Sequence, residues 1–462
     1  MEVDFVGPWQ SVKGPTPRDK TLPQPPLLPG ETARETAGQN GTYHEGVAHN
    51  FTSTGHAAKW GRQTAQSKDT IQAWVAEYQP EYLLVLLGFN DLGWFVSGPE
   101  GLIADMSELI GNARKAKSDI KIVLGNVVDR SFISGRQDLV DNTIAYNALL
   151  PENVKGWSNS ESPVIHVDVN ANYNCRPASC PDGYDGLHPN SLGEYHIAEA
   201  FAREIKASFG FDGPDFEVPS NPEPRNISTP TNVRTASYPE GLRTDWDYIK
   251  AARGYDIRSR IKGQEAWWSE GPVNPVSAAS WSTWVGNDQT WEFQVRTRGD
   301  NDDTSDWSDI TSATTDVKTS AGPTNIAVTP TSDGLQVTWD AVVGYDVNRY
   351  GVIIWDRDLV GSYIEERGTT DTSMLISGLV PGHTYSVWVS TWINLNGGVA
   401  GGLPGIGADV VVGGGAAAQA EDVGTTDVDV TKDEDLATLF NLLAVQGIVE
   451  YSTPVSNSVA DI

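Results

Sequence analysis

Basic residues are scarce in this chain: 32 Lys and Arg stand against 61 Asp and Glu, a formal charge of −29 over 462 residues. So negative a surface repels phosphate backbones and anionic lipid headgroups, which argues against nucleic acid or a charged membrane as partner. It equally suits a protein that must stay dissolved outside a cell. Long apolar runs are lacking too. None approaches the roughly 20 residues of a spanning helix, and no apolar leader follows Met1. Cysteine is scarcer still. Only Cys175 and Cys180 occur, in Asn174-Cys-Arg-Pro-Ala-Ser-Cys-Pro. Too few ligands surround them for a metal site. A local disulfide would staple the loop between them, and free thiols are the alternative.

What is present is enough apolar matter, 39% of residues, for packed cores, in a length that predicts two to four domains. In the first two hundred residues strands alternate with helices. Residues 82–87, Tyr-Leu-Leu-Val-Leu-Leu, read as a fully buried strand. Residues 120–128 and 164–169 read as two more. Helical spacing appears at Ile71, Trp74 and Val75 within 69–79, and at Leu102, Met106, Leu109, Ile110 and Ala113 within 102–116. Further helices are expected around 138–150 and over 192–209, the latter burying Ile197, Ala198, Phe201 and Ile205. That alternation implies a parallel sheet. Residues 15–30 are Pro-rich and read as an irregular surface loop. His166 alternates within an apolar strand and reads as a satisfied core residue. His44, His49 and His56 have no motif partner.

Two short motifs carry chemistry. Asp185-Gly186-Leu187-His188-Pro189-Asn190 sets a carboxylate three residues before an imidazole, on a turn that Gly186 and Pro189 enforce. One loop can then let Asp185 accept from one ring nitrogen and leave the other as a base. Gly88-Phe89-Asn90-Asp91 follows the 82–87 strand. An amide side chain past the carboxyl end of such a strand lies where open α/β sheets carry ligands, and it can donate to a developing oxyanion. Trp94 and Phe95 just beyond could wall a subsite or pack under the loop.

These motifs resemble the Gly-x-Asn-Asp and Asp-x-x-His blocks of the SGNH (GDSL-type) hydrolases, ester hydrolases with a flavodoxin-like parallel sheet, over roughly residues 1–210. The resemblance implies His188 as general base, Asp185 as its orienting carboxylate and Asn90 as an oxyanion donor, with no metal or organic cofactor. A backbone amide should complete the oxyanion hole. His56-Ala57-Ala58-Lys59-Trp60-Gly61 resembles the block that supplies it, pointing to Gly61, with Gly55 and His44-Glu45-Gly46 as alternatives. The family's nucleophilic Ser lies in a Gly-Asp-Ser block after its first strand, and no Gly-Asp-Ser occurs here. Residues 3–9 look like the family's second strand. The expectation is therefore an α/β domain over 1–212 whose first strand and nucleophile block belong upstream of Met1. Loss of that central strand would leave its neighbours with unpaired backbone groups.

After a Pro-, Asn- and Ser-rich linker, 213–227, two units of similar size each open on a strand ending in Trp-Asp, at Trp246-Asp247 and Trp339-Asp340. The second contains Leu379-Val-Pro381-Gly-His-Thr-Tyr385. They resemble fibronectin type III domains, expected over 228–316 and 321–412, and their alternating strands independently suggest antiparallel sandwiches. Trp267, Trp268, Trp281 and Trp284 cluster in the first, as a sugar-binding platform or as packing. Beyond 413 an acidic tail with one amphipathic candidate at 435–445 is expected to be flexible. Asn40-Gly-Thr, Asn50-Phe-Thr and Asn226-Ile-Ser fit the N-glycosylation pattern. Two functions follow: a secreted ester hydrolase acting on a small acyl ester, such as an acetylated polysaccharide, or a non-catalytic adhesion or carbohydrate-binding protein that uses its sandwiches.

Overall fold

The computed structural model describes residues 4–10, 23–31, 54–223, 225, 227–250, 252–273, 279–282, 285–300, 303–359, 362, 364–396 and 398–413. His44 to Gly46, Asn40, Asn50, Asn226, Trp284 and the acidic tail lie outside them, as does the side chain of Trp281.

The chain opens on a short antiparallel ribbon, β1 (Trp9–Gln10) against β2 (Gly55–His56). The expected second strand at 3–9 does not join the parallel sheet over its described residues. Pro8 has no amide hydrogen for a ladder. A Cβ on Gly7 would come within 2.3 Å of the His56 carbonyl carbon, so the segment crosses β2 at close range.

Then follow α1 (Thr64–Tyr78), β3 (Tyr82–Val85), α2 (Phe89–Gly93), α3 (Pro99–Ala116), β4 (Lys121–Gly125), α4 (Gln137–Trp157), β5 (Val164–Val167), α5 (Val169–Asn172) and α6 (Ser191–Phe209). Strands β3, β4 and β5 pair in parallel in that order. β4 is buried on both faces at Ile122, Val123 and Leu124, as a strand between two helical layers must be. Helices α1, α3 and α4 cover one face through Ile71, Val75, Met106, Leu109, Ile110 and Tyr146. Helix α6 covers the other, with Ala200 and Phe201 against Val123 and Val167. The stripe expected on α3 is buried throughout, and Pro99 begins that helix where its missing N–H costs nothing. α4 runs past its expected end through Pro151 to Trp157. The strand at 82–87 is not fully buried. Leu84 is 48% and Leu86 41% exposed, because among the described residues β3 is paired on one side only. His166 is not satisfied either: among the described residues its buried Nε2 finds no hydrogen-bond partner, and burial lowers the ring's pKa.

The first sandwich comprises β6 (Arg234–Tyr238), β7 (Gly241–Asp245), β8 (Gly254–Ile261), β9 (Trp268–Val273), β10 (Ala279–Ser282), β11 (Thr290–Arg298) and β12 (Thr311–Thr314). Its sheets run β10-β7-β6 and β12-β11-β8-β9. The second comprises β13 (Ala327–Pro330), β14 (Gly334–Thr338), β15 (Val347–Asp356), β16 (Glu365–Thr369), β17 (Ser373–Ser377), β18 (Thr384–Leu395), β19 (Gly398–Gly401) and β20 (Gly405–Val411). Here β13-β14-β17 faces β16-β15-β18-β19, and β20 also pairs with β18. All pairings are antiparallel. Trp246 and Trp339 are buried edge-on against Tyr255 and Tyr350, whose hydroxyls accept from the Ile249 and Val342 amides. The Tyr385 hydroxyl accepts from the Val380 amide at 3.2 Å, closing the corner its motif implied.

Of the tryptophan cluster, the two described side chains, Trp267 and Trp268, are both engaged. Trp268 packs 5.4 Å from Trp291 against the sandwich core. Trp267 lies under the Arg258 and Arg260 guanidinium groups, at 4.6 and 4.3 Å from its ring. Residues 23–31, part of the Pro-rich loop, lie along the second sandwich. The Gly368 amide donates to Leu27, and Arg349 donates to the Pro26 carbonyl and to Glu31.

Candidate active site

The loop from Cys175 to Asn190 is braced before it does anything else. Cys175 and Cys180 are joined by a disulfide. The fully buried Asp182 carboxylate accepts from the Asn174 amide at 2.7 Å and pairs with His196 Nδ1 at 2.6 Å. Asn190 donates its side-chain amide to Pro181 and its backbone amide to Asp182, while its side-chain oxygen caps α6 by accepting from Gly193. The Tyr173 hydroxyl donates its one proton towards the carbonyls of Leu187, at 2.7 Å, and Asp182, at 3.2 Å, as a shared bond. Gly186 takes φ +85°, the left-handed backbone that favours glycine and turns the chain between Asp185 and His188.

On this frame Asp185 and His188 meet. His188 Nδ1 lies 2.7 Å from Asp185 Oδ2, and Asp185 Oδ1 accepts from the Leu187 and His188 amides at 3.0 and 2.8 Å. Burial works against the Asp185 carboxylate, but the His188 ring and the two amides outweigh it and hold its pKa below the ordinary value. Two aromatic rings lie nearly parallel to the imidazole: Trp60, 6.3 Å away at 18°, and Tyr184, 5.9 Å away at 25°. Burial lifts the Tyr184 phenol to about 12, so it remains neutral.

Asn90 stands in α2 rather than in a loop, beyond the carboxyl end of β3. It donates from its side-chain nitrogen to the Arg62 carbonyl at 3.2 Å, which engages one of the two amide hydrogens. Its neighbour Asp91 is wholly buried and accepts from the Thr64 and Ala65 amides at 2.8 and 3.0 Å, placing a carboxylate at the start of α1. Burial raises the Asp91 pKa against those two bonds. Gly61, at φ +64°, sits between Trp60, which faces His188, and Arg62, which is tied to Asn90. Gly55 is engaged elsewhere, in the β1–β2 ribbon, where a Cβ would come within 2.7 Å of the Phe5 carbonyl oxygen. Phe95 lies under the Arg136 guanidinium at 4.2 Å, and Arg136 also bonds Gly93 and Asp138.

Several supports carry no sequence motif. The loop after β4 is locked to α4 by Asn147, which exchanges hydrogen bonds with both backbone groups of Val127. Asn126, Asn170 and Asp168 continue that lattice, and the Ser131 amide donates to the Gly186 carbonyl at 2.8 Å. Trp60 and Tyr184 adjoin motif residues in sequence. Only the fold shows that both reach the same ring.

A carboxylate–imidazole pair on a loop, with a side-chain amide beyond a parallel strand, is equipment suited to acyl transfer. Residues 19–195, which include Gly61, Asn90, Asp185 and His188, match the model of the GDSL-like lipase/acylhydrolase family, a family of ester hydrolases. Residues 321–399 match the fibronectin type III domain. Among solved structures, the chain is similar to an acetyl esterase mutant holding an acetate ion, at 23% identity and a TM-score of 0.27 over 34% of this chain and 69% of that one. It is similar to a carbohydrate esterase family 3 protein from Talaromyces cellulolyticus, at 20% identity and 0.32, over 46% and 84%. A two-domain fibronectin type III segment of chicken tenascin aligns at 13% identity and 0.18, over 40% and 99%. No curated protein matches the chain.

Proposed function

We propose that the α/β unit hydrolyses a small carboxylic ester, with His188 as general base, Asp185 holding its Nδ1 proton, and the Asn90 side chain and Gly61 amide as oxyanion donors. The observation that carries this reading is the 2.7 Å contact between His188 Nδ1 and Asp185 Oδ2, made on a loop braced from every side. In that arrangement Nε2 takes the proton of a serine hydroxyl as the oxygen attacks the ester carbonyl. It returns the proton to the leaving alcohol, and water then resolves the acyl-enzyme by the same relay. We read the substrate as an acetyl or similarly short acyl group on a polysaccharide, and the working place as outside the cell. The Cys175–Cys180 disulfide, the strong negative charge and the attached sandwiches support that reading, the last by analogy of architecture only.

The sequence carries no Gly-Asp-Ser block. The chain as given should therefore turn over p-nitrophenyl acetate little or not at all. A version with a Gly-Asp-Ser-bearing strand supplied ahead of residue 1 should gain turnover that depends on His188. Robust activity of the chain as given, abolished by replacing one of its own serines, would overturn this division of roles.

A further inference from the structure

One charge network joins the first sandwich to the loop that carries His188. Arg253, one residue before β8, is largely shielded from solvent; it donates from Nε to Asp300 Oδ1 and from a terminal nitrogen to Glu194 Oε1, each at 2.8 Å. Arg225, in the connecting segment, donates to both Glu194 oxygens at 2.9 and 3.2 Å and approaches Asp300 at 4.0 Å. Asp300 Oδ2 also accepts from the hydroxyl and the amide of Ser191, at 2.7 and 3.2 Å. The Arg253 guanidinium lies 5.0 Å from the centre of the Tyr184 ring. Two cations and two anions thus balance at this junction, with Arg225, Arg253 and Asp300 mostly shielded and Glu194 at its exposed side, and each charge has partners.

Every grip falls beside the Asp185–His188 turn. Tyr184 immediately precedes Asp185, donates its backbone amide to the His188 carbonyl at 2.9 Å, and lays its ring near-parallel to the imidazole. Ser191 and Glu194 form the first turn of α6, just past the motif. The His188 side chain is itself 47% exposed, so its own burial does little to fix it. We propose that the first sandwich is a positioning element of the hydrolase site, with Arg253 acting through Tyr184 and the start of α6 to hold the His188 ring in register with Asp185. Arg253 touches no reacting atom and is a positioning residue. This role rests on the reading of His188 as the base, whereas the signals that test it are read without turnover.

The full chain, with 15N-labelled histidine, gives ring resonances of which His188 is assigned by its loss in His188→Gln. In the parent chain His188 should show a single tautomer protonated at Nδ1. In Arg253→Ala its ring shifts should move towards those of a free imidazole, and its Nδ1 proton should exchange with solvent about tenfold faster. Asp300→Asn and Glu194→Gln should move it the same way by less. Arg253→Lys, which keeps a charge but lacks the planar face over Tyr184, should fall between. His383, bonded to Asp356 at 2.8 Å in the second sandwich, serves as the internal control and should not change. Unchanged His188 signals in Arg253→Ala would overturn the proposal; if that variant loses the parent's melting transition, unchanged signals in the two isosteric variants would do so. Equal loosening of His188 and His383 would overturn it too, because that marks general destabilisation. Failure of this coupling would leave the base assignment untouched, since that stands or falls with turnover in His188→Ala.

Discussion

At the scale of single residues, the two motifs were legible because their members are close in sequence. Asp185 and His188 need only one turn to meet, and the 2.7 Å contact follows from the spacing. Asn90 needed the strand before it. Trp60 and Tyr184 were not legible as a pair, since two rings far apart in the chain converge on His188 only after folding. In a version supplied with Gly-Asp-Ser, His188→Ala should lower kcat by several orders of magnitude, and Asp185→Ala by less, because orientation is lost while the base remains. Asn90→Ala should cost about 10²–10³ in kcat, as removal of an oxyanion donor does. Near-normal turnover of p-nitrophenyl acetate by His188→Ala would show that the base lies elsewhere.

At the scale of elements, helix α3 was readable from its apolar stripe and β4 from its apolar run, whereas on α6 the expected Ala198 is exposed and Ala200 takes the buried position beside Phe201. The fate of residues 3–9 was not readable, because apolar character alone cannot show that Gly7 and Pro8 turn the segment across β2. The tight seat of α6 against the loop is likewise invisible in sequence. A Cβ on Gly193 would come within 2.3 Å of the Asp182 carbonyl oxygen and 2.7 Å of the Tyr173 ring. Gly193→Ala should therefore push the helix off the loop, with a loss of about 1–3 kcal/mol by thermal or urea unfolding. In the second sandwich Glu366 on β16 bonds Ser390 and the Trp392 ring nitrogen, and burial pushes its carboxyl up to about 7 against those two bonds. A carboxyl whose pKa is raised in the folded state favours folding while protonated. Its contribution is complete below the ordinary Glu range and fades as pH rises through about 7. Glu366→Gln, neutral at every pH, should flatten this dependence and raise the melting temperature relative to the parent at pH 8 more than at pH 5. An equal shift at both values would mean that Glu366 does not titrate in this range.

At the scale of the whole molecule, the units are less separate than the linker at 213–227 implies. Arg225 lies in that linker and Arg253 in the first sandwich, and both pair with Glu194 of α6, while residues 23–31 lie along the second sandwich. Paired charges across a junction leave no periodicity in either partner's sequence, which is why they escape a reading by motif. The cores remain separate all the same: one gathers around Trp246, Tyr255 and Phe293, another around Trp339, Tyr350 and Val387. A piece spanning 228–413 should accordingly fold with a cooperative near-UV circular dichroism transition, because each sandwich buries its own tryptophan without help. The complementary piece, 1–212, should behave differently for two physical reasons. Glu194 loses both of its arginine partners, and β3, unpaired on one side among the described residues, leaves Leu84 and, just past its end, Leu86 exposed. Exposed apolar side chains along an open edge invite strand-to-strand association. Size-exclusion chromatography of 1–212 should therefore show concentration-dependent oligomers and a broad melt. A monomer that melts sharply would mean that this edge is closed without the sandwiches, and that the Arg225–Arg253 network adds little to the stability of the α/β unit.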